Sequence, residues 1–316
     1  MKPQTVIAAA ATVAITVSLL TLAACATVFV EPTETDNPPR KETFYAVTAS
    51  NQLISFNAGQ PQKILSRKAL SGLQAGEEIL GIDYRVAKGV LFALGRAGSQ
   101  SRLYTVNTSS GAVSPVGSVA LAVTLTGSEF AFDFNPVSDR IRVVSNTGQN
   151  LRLHPDTGAV VDANPNEPGI QLDGNPAYPD IAPEAYSSAN ADINAGKIPA
   201  IVGAGYTYNK LNDKITTNYA IDANTESLVM QGSKEGVTPV VSPNTGKLFT
   251  VGKLGAGPFV RASFDIADTT GAAFVAVTRA NGVASKLYLV NLDNAGTTFL
   301  GTIGGGETIR GMSFEP

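Results

Sequence analysis

Three aspartates hold the same place in a repeated apolar-Asp-apolar segment, and Ser313 holds that place in a further copy. If the repeats form equivalent strands around one channel, the carboxylates would form a ring whose oxygens suit a cation such as Ca²⁺. The alternative is structural, since an aspartate can also accept backbone N–H bonds and fix a turn. The three candidate metal ligands are Asp83, Asp133 and Asp265.

A predicted hairpin carries the second candidate site, a group of basic side chains. Its apolar residues share one face if the loop has an odd length, and 146–148 provides three residues with Gly148 at the position that favours a positive φ. This register predicts that Arg142 lies opposite Arg152, and Arg140 opposite His154.

Two arginines that face each other in a sheet need an anion between them, because like charges in that position are destabilising. A carboxylate of the protein gives a structural ion network, whereas the carboxylate or phosphate of a bound ligand gives a binding site, since paired guanidinium groups suit both. The candidate carboxylates of the protein are Asp133, Asp139 and Glu129.

Motifs that would identify a reaction are missing from the sequence. His154 is the only histidine, and no Gly-x-Ser-x-Gly motif accompanies it. The run 162–166 with Asp173 imitates the oxygen spacing of an EF-hand loop, but Glu167 occupies the place of the turn glycine. The sequence therefore predicts no catalytic residues, and it favours a protein that is not an enzyme.

An internal repeat organises the chain after the first forty residues. A short strand-like segment occurs five times at intervals of 48 to 69 residues, which fits propeller blades with insertions. Several copies end in Asn or Asp followed by Gly, a combination typical of tight turns. The five segments are 53–57, 103–107, 151–155, 218–222 and 287–291.

The two ends of the chain carry complementary parts of one repeat. The C-terminus has the opening element of a blade without later strands, whereas 43–66 has the later strands without an opening element. We therefore predict an all-β fold, a five-bladed β-propeller in which both ends close one blade. Six blades is the alternative, if 171–201 or 237–253 forms its own sheet. The opening strand of the fourth unit is expected to be displaced or replaced by a long loop, 162–197.

One part of the chain resembles a known family. The run Phe132-Asp133-Phe134-Asn135-Pro136, followed by 139–144, 147–153 and 155–158, is similar to the bacterial DUF4394 family. The resemblance extends over most of the chain after Lys41. It implies a propeller-like fold and supplies no activity, because a fold alone does not imply a function.

The N-terminus resembles a bacterial lipoprotein signal. Lys2 is followed by an uncharged stretch and by Leu22-Ala23-Ala24-Cys25, which contains the only cysteine. This resemblance implies cleavage of 1–24, a diacylglycerol on Cys25 and, because Ala26 follows, a place in the outer membrane. An uncleaved membrane span is the alternative, since no charge occurs between Lys2 and Glu31.

Residues 25–42 are expected to form a flexible tether and 43–316 a single propeller domain with an insertion at 162–197. The net charge of −3 provides no basic field for nucleic acid. Two functions remain open. The favoured one is a non-catalytic lipoprotein that binds a protein, peptide or glycan, and the alternative is a metal-dependent, lactonase-like hydrolase that uses the aspartates.

Overall fold

The structure is a computed structural model that describes residues 29–34, 36–118, 120–181 and 191–316. Nineteen strands occur among these residues, all within the unit Pro32–Pro316. They form five antiparallel sheets, and the helical structure described is limited to the 3₁₀ turns Val86–Lys88 and Pro243–Thr245.

Each sheet is one blade of a propeller, and its strands follow one another from the central channel outward. Blade 1 contains β19 (Ile309–Phe314), β1 (Thr43–Thr48), β2 (Gln52–Asn57) and β3 (Ile64–Ala69). Blade 2 contains β4 (Glu78–Arg85), β5 (Val90–Ala97), β6 (Gln100–Val106) and β7 (Val113–Pro115). Blade 3 contains β8 (Phe130–Asn135), β9 (Arg140–Ser145) and β10 (Asn150–Leu153). Blade 4 contains β11 (Ile201–Tyr206), β12 (Asn218–Asp222), β13 (Ser227–Gln231) and β14 (Leu248–Lys253), and blade 5 contains β15 (Arg261–Ile266), β16 (Ala273–Thr278), β17 (Lys286–Val290) and β18 (Thr297–Thr302).

Both ends of the propeller chain meet in blade 1, where β19 pairs with β1 and Phe44 lies opposite Phe314. The ring of Phe44 also packs against Phe274 of blade 5, with ring centroids 5.3 Å apart. This apolar contact joins the closing blade to its neighbour. The predicted five-bladed propeller is confirmed, and 237–253 contributes β14 to blade 4 instead of forming a sixth sheet.

The five innermost strands, β4, β8, β11, β15 and β19, pack around a narrow channel. Small residues line it because the backbones approach closely: a Cβ on Gly81 would lie 2.6 Å from the Cβ of Phe132 in the next blade. The cavity that remains along the axis measures only about 10 Å³. The equivalent small residues on the five strands are Gly81, Ala131, Gly203, Ser263 and Gly311.

A long connection separates blades 3 and 4. Blade 3 has three strands, and a single bridge from Leu153 to Val160 stands where its fourth strand would be. The described residues 161–181 and 191–200 contain no strand, and β11 begins directly afterwards. The opening strand of blade 4 is therefore displaced along the sequence but present.

The segment before β1 is hydrogen-bonded to blades 1 and 5. Asn37 donates its side-chain N–H to the carbonyl of Leu300 (3.0 Å), and the backbone N–H of Arg40 donates to Oδ1 of Asn57 (2.8 Å). The predicted lipidation site Cys25 and the predicted signal 1–24 lie outside the described residues. Within the described part of the chain, no helix is long and apolar enough to span a membrane.

Candidate functional site

The repeated aspartates and Ser313 occupy one equivalent position on the innermost strands of blades 2, 3, 5 and 1, close to the C-terminal end of each strand. A hydrogen bond links each such position to the backbone N–H of the following strand around the ring. The four bonds are Tyr84 N–H to Oγ of Ser313 (3.1 Å), Phe134 N–H to Oδ2 of Asp83 (2.7 Å), Tyr206 N–H to Oδ2 of Asp133 (3.1 Å) and Phe314 N–H to Oδ2 of Asp265 (2.7 Å). The aspartates thus join neighbouring blades.

Gly205 holds the same position in blade 4 and has no side chain to accept such a bond. A Cβ there would lie 3.0 Å from the ring of Phe264, so the space is already filled by blade 5. The backbone N–H of Ile266 donates to Oδ1 of Asp265 instead (2.6 Å). The ring therefore contains three carboxylates, one hydroxyl and one glycine.

The same geometry brings the three carboxylates together. One oxygen of each of Asp83, Asp133 and Asp265 lies within 4.8 Å of the other two, and all three residues are buried. Burial, and then the charge of Asp265, raises the pKa of Asp83 well above its usual range, and burial with both neighbouring charges does the same for Asp133. Burial raises the pKa of Asp265 to about 6.

Three buried carboxylates at this separation cannot all stay charged without compensation, so the cluster takes up either protons or a cation. Oxygens up to 4.8 Å apart fit around one ion with Ca–O distances of about 2.3–2.6 Å. Tyr208 lies within the field of the cluster: burial and the three aspartate charges raise its pKa, so its hydroxyl stays protonated. The arrangement of the three carboxylates is compatible both with shared protons and with a bound cation.

The arginine group has the predicted register, since Arg142 lies directly opposite Arg152. The anion between them is Asp173, from the long connection. Nη1 of Arg142 donates to Oδ2 of Asp173 (2.7 Å), and Arg152 donates to both oxygens of that carboxylate (2.8 and 2.9 Å). Both members of the Arg142–Asp173 pair are buried.

None of the three carboxylates that the sequence indicated is this anion. Asp133 accepts the backbone N–H of blade 4, as described above. Asp139 pairs with Arg85, and Glu129 pairs with Arg261 (2.5 Å). Each of the three has other partners, and the carboxylate between the arginines is one that the sequence did not indicate.

Arg142 is the centre of a buried polar network between blades 3 and 4. Its Nε donates to the hydroxyl of Tyr206 (3.0 Å), and its terminal nitrogens donate to Asn150 (2.8 Å) and Asn244 (2.5 Å). With Asp173, these partners fix the plane of the guanidinium group. Four of its five N–H groups thus donate within the protein, and its side chain is only 2% exposed, so Arg142 organises the structure beside the cavity.

Three of the four predicted ligand-binding residues line one cavity of about 220 Å³ beside this network. Most of its remaining lining is polar. The lining residues are Asn135, Ser138, Arg140, Arg142, Arg152, Tyr206, Ser242, Pro243 and Asn244. We call this cavity the arginine pocket.

His154, the fourth predicted residue, does not line the arginine pocket. Its Nδ1 accepts the backbone N–H of Asp156 (3.2 Å) in the turn after β10. The residues with EF-hand-like spacing have different hydrogen-bond partners. Asp162 accepts the backbone N–H groups of Asn164 and Gln171, whereas Asp173 binds the arginines.

A second cavity of about 250 Å³ lies next to the arginine pocket, and Asn135 lines both. Its lining is mixed, with Arg85 and Lys88 beside apolar surface from Val86, Ala87, Pro136 and the ring of Tyr208. Arg85 is already neutralised by Asp139 and Asp156. We call this cavity the tyrosine pocket.

Comparison with family models places residues 52–313 in the family described as "Domain of unknown function (DUF4394)". The chain belongs to the DUF4394 family. No curated protein matches it. The family description gives no activity, so any function of this DUF4394 propeller must be argued from its sites.

Several solved structures are distantly similar to this DUF4394 chain. A structural genomics protein of unknown function from Bacteroides thetaiotaomicron is 13% identical, with a TM-score of 0.40, over 84% of this chain and 60% of that one. TolB from Acinetobacter baumannii is 12% identical, with a TM-score of 0.41, over 89% and 68%. A putative 6-phosphogluconolactonase from Bacteroides fragilis is 12% identical, with a TM-score of 0.39, over 90% and 99%. No argument about function follows from likenesses at this level.

The roles of two residues in the sites of this DUF4394 chain, Tyr206 and Asp173, were missed from the sequence. A small residue, Gly203, lies two positions before Gly205, just as Ala131 lies two positions before Asp133. That spacing would have aligned Gly205 with Asp133 and placed Tyr206 one residue after the repeated position. Asp173 gave no such indication, because it lies in an irregular segment whose path no periodicity predicts.

Proposed function

We propose that this chain is a lipid-anchored, non-catalytic binding protein of the bacterial outer membrane, and that its propeller binds an anionic ligand in the arginine pocket. The observation that carries this proposal is the imbalance of charge around that cavity. Three arginines are among its lining residues, and Asp173 is the carboxylate bonded to two of them.

Arg140 is the residue whose charge is least compensated. Its Nη1 donates only to the backbone carbonyls of Ser138 (3.4 Å) and Asp139 (2.8 Å), and no described carboxylate forms an ion pair with it. Arg142 and Arg152 share the single charge of Asp173. The pocket therefore retains an excess of positive charge, which favours a ligand carboxylate or phosphate.

Binding of small anions tests this proposal. We expect inorganic phosphate or D-galacturonate to bind the full chain in a calorimetric titration, and neutral D-galactose to bind much less. Replacing Arg140 with glutamine should weaken anion binding about tenfold or more, because a charge-assisted bond is lost.

The matched control is Arg102→Gln, which removes the same charge from blade 2, where the side chain contacts Gln100 at 3.5 Å. Equal affinity of the wild type and Arg140→Gln for every anion tested would contradict the proposed site. Absence of binding by both phosphate and D-galacturonate would remove the anionic ligand class they represent.

The proposed anchor rests on Leu22-Ala23-Ala24-Cys25 and the uncharged stretch before it. We expect the wild type to fractionate with the outer membrane, because several acyl chains on one residue give durable attachment. Cys25→Ser should lose these chains, because it lacks the sulfur that carries them. Mass spectrometry of the mature N-terminus measures the lipid directly. A wild-type protein whose N-terminus begins at Met1 and carries no acyl chain would support an uncleaved span instead.

A metal-dependent, lactonase-like hydrolase is the second candidate, favoured by the convergence of Asp83, Asp133 and Asp265 within 4.8 Å. Such an enzyme would first have to bind its cation at these oxygens. If it does, millimolar Ca²⁺ at pH 7.5 should raise the melting temperature of the wild type, with a smaller rise in Asp133→Asn. No shift in either protein would remove this candidate for calcium.

A further inference from the structure

We infer that the arginine pocket and the tyrosine pocket are adjacent subsites for one acidic oligosaccharide. The inference rests on the proposed anion-binding function and adds the ligand class and a second binding surface. Asn135, the last residue of β8, lines both cavities, so the two cavities are direct neighbours.

Each cavity alone suits a single small group. Their volumes of about 220 and 250 Å³ are below the roughly 300–1,000 Å³ of pockets that hold drug-sized ligands. Two neighbouring cavities of similar size match a ligand made of similar units. A chain of sugar rings has this form.

The lining of the arginine pocket matches a ligand that carries hydroxyl groups as well as a negative charge. Besides the guanidinium groups, it offers the amides of Asn135 and Asn244 and the hydroxyls of Ser138 and Ser242. Such groups donate and accept hydrogen bonds, as sugar hydroxyls do. Pro243 and Tyr206 are the lining residues that add apolar surface to this cavity.

The tyrosine pocket differs because its charge is largely compensated. Arg85 is bound by Asp139 and Asp156, which leaves Lys88 at an exposed edge. Tyr208 supplies an aromatic ring with one polar end, and Pro136 supplies a second apolar surface. A sugar ring packs against such surfaces while its hydroxyls remain hydrogen-bonded.

An acidic peptide fits the surroundings less well. A peptide that binds by strand addition needs an exposed strand edge. The lining residues come instead from strand ends and turns: Arg85, Asn135 and Tyr206 end their strands, and Pro243 and Asn244 belong to a 3₁₀ turn. The observations therefore favour the oligosaccharide.

The test compares ligand length. Mono- and trigalacturonate are titrated into the full chain, and we expect the trimer to bind at least tenfold more tightly because it occupies both cavities. Replacing Tyr208 with alanine should remove most of that preference, because the ring that lines the second cavity is lost. Tyr208→Phe keeps the ring and should retain the preference for the trimer.

Other outcomes separate this inference from the function on which it rests. Equal affinity for monomer and trimer, or an unchanged preference in Tyr208→Ala, would overturn the second subsite while the anion site stands. Tighter binding of tetraglutamate than of trigalacturonate would replace the oligosaccharide by a peptide. An unchanged affinity for both sugars in Arg140→Gln would instead contradict the anion site itself.

Discussion

Replacement of Arg142 by methionine is expected to lower the free energy of unfolding by about 3–5 kcal/mol, the cost of breaking a buried ion pair from one side. The variant keeps an apolar stem in the space of the arginine. It removes the donor to Tyr206, Asn150 and Asn244 and leaves Asp173 with one arginine. Urea denaturation followed by circular dichroism measures the change.

Arg152→Met is the matched comparison, because this arginine binds the same carboxylate but is partly exposed. We expect a smaller loss, of about 1 kcal/mol, since Asp173 keeps its buried partner Arg142. If Arg142→Met lost less stability than Arg152→Met, the network between blades 3 and 4 would not be centred on Arg142.

The second large effect is a pH dependence caused by the three axial carboxylates. Burial raises the pKa of Asp265 from its ordinary 3.8 to about 6, so the folded protein binds more protons than the unfolded chain between these values. Asp265 therefore contributes to the free energy of unfolding at low pH. This contribution, on the order of 3 kcal/mol, is lost as the pH rises through about 6. The raised pKa values of Asp83 and Asp133 act in the same direction.

We accordingly expect Asp133→Asn to raise the melting temperature at pH 7.5 and to flatten its dependence on pH. Asparagine keeps an oxygen for the backbone N–H of Tyr206 and removes one of three mutually repelling charges. Asp213→Asn, at an exposed position, serves as the control. A calcium-free variant that melts below the wild type at pH 7.5 would contradict this account of the axial cluster.

Much of the fold follows from repeated local patterns. The alternation around Asp83, Asp133 and Asp265 recurs in equivalent strands, so their common position could be predicted before any contact was known. The pairing of Arg142 with Arg152 followed from the side-chain period of two and an odd loop. These features depend on short segments whose geometry is nearly fixed.

The rest depends on segments without a period. Asp173 reaches the arginines through an irregular connection, and no local pattern indicates where such a chain will pass. Gly205 interrupts the ring because Phe264 of another blade fills its space, which is a tertiary constraint. The arginine pocket also needs Asn244, from a 3₁₀ turn over a hundred positions from Arg142 in the sequence.

The most direct test of the central claim is a crystal structure of the full chain with whichever of phosphate, D-galacturonate and trigalacturonate binds most tightly. Our account predicts that the oxyanion lies in the arginine pocket, within hydrogen-bond distance of Arg140. An anion bound elsewhere, with this pocket left to solvent, would contradict it.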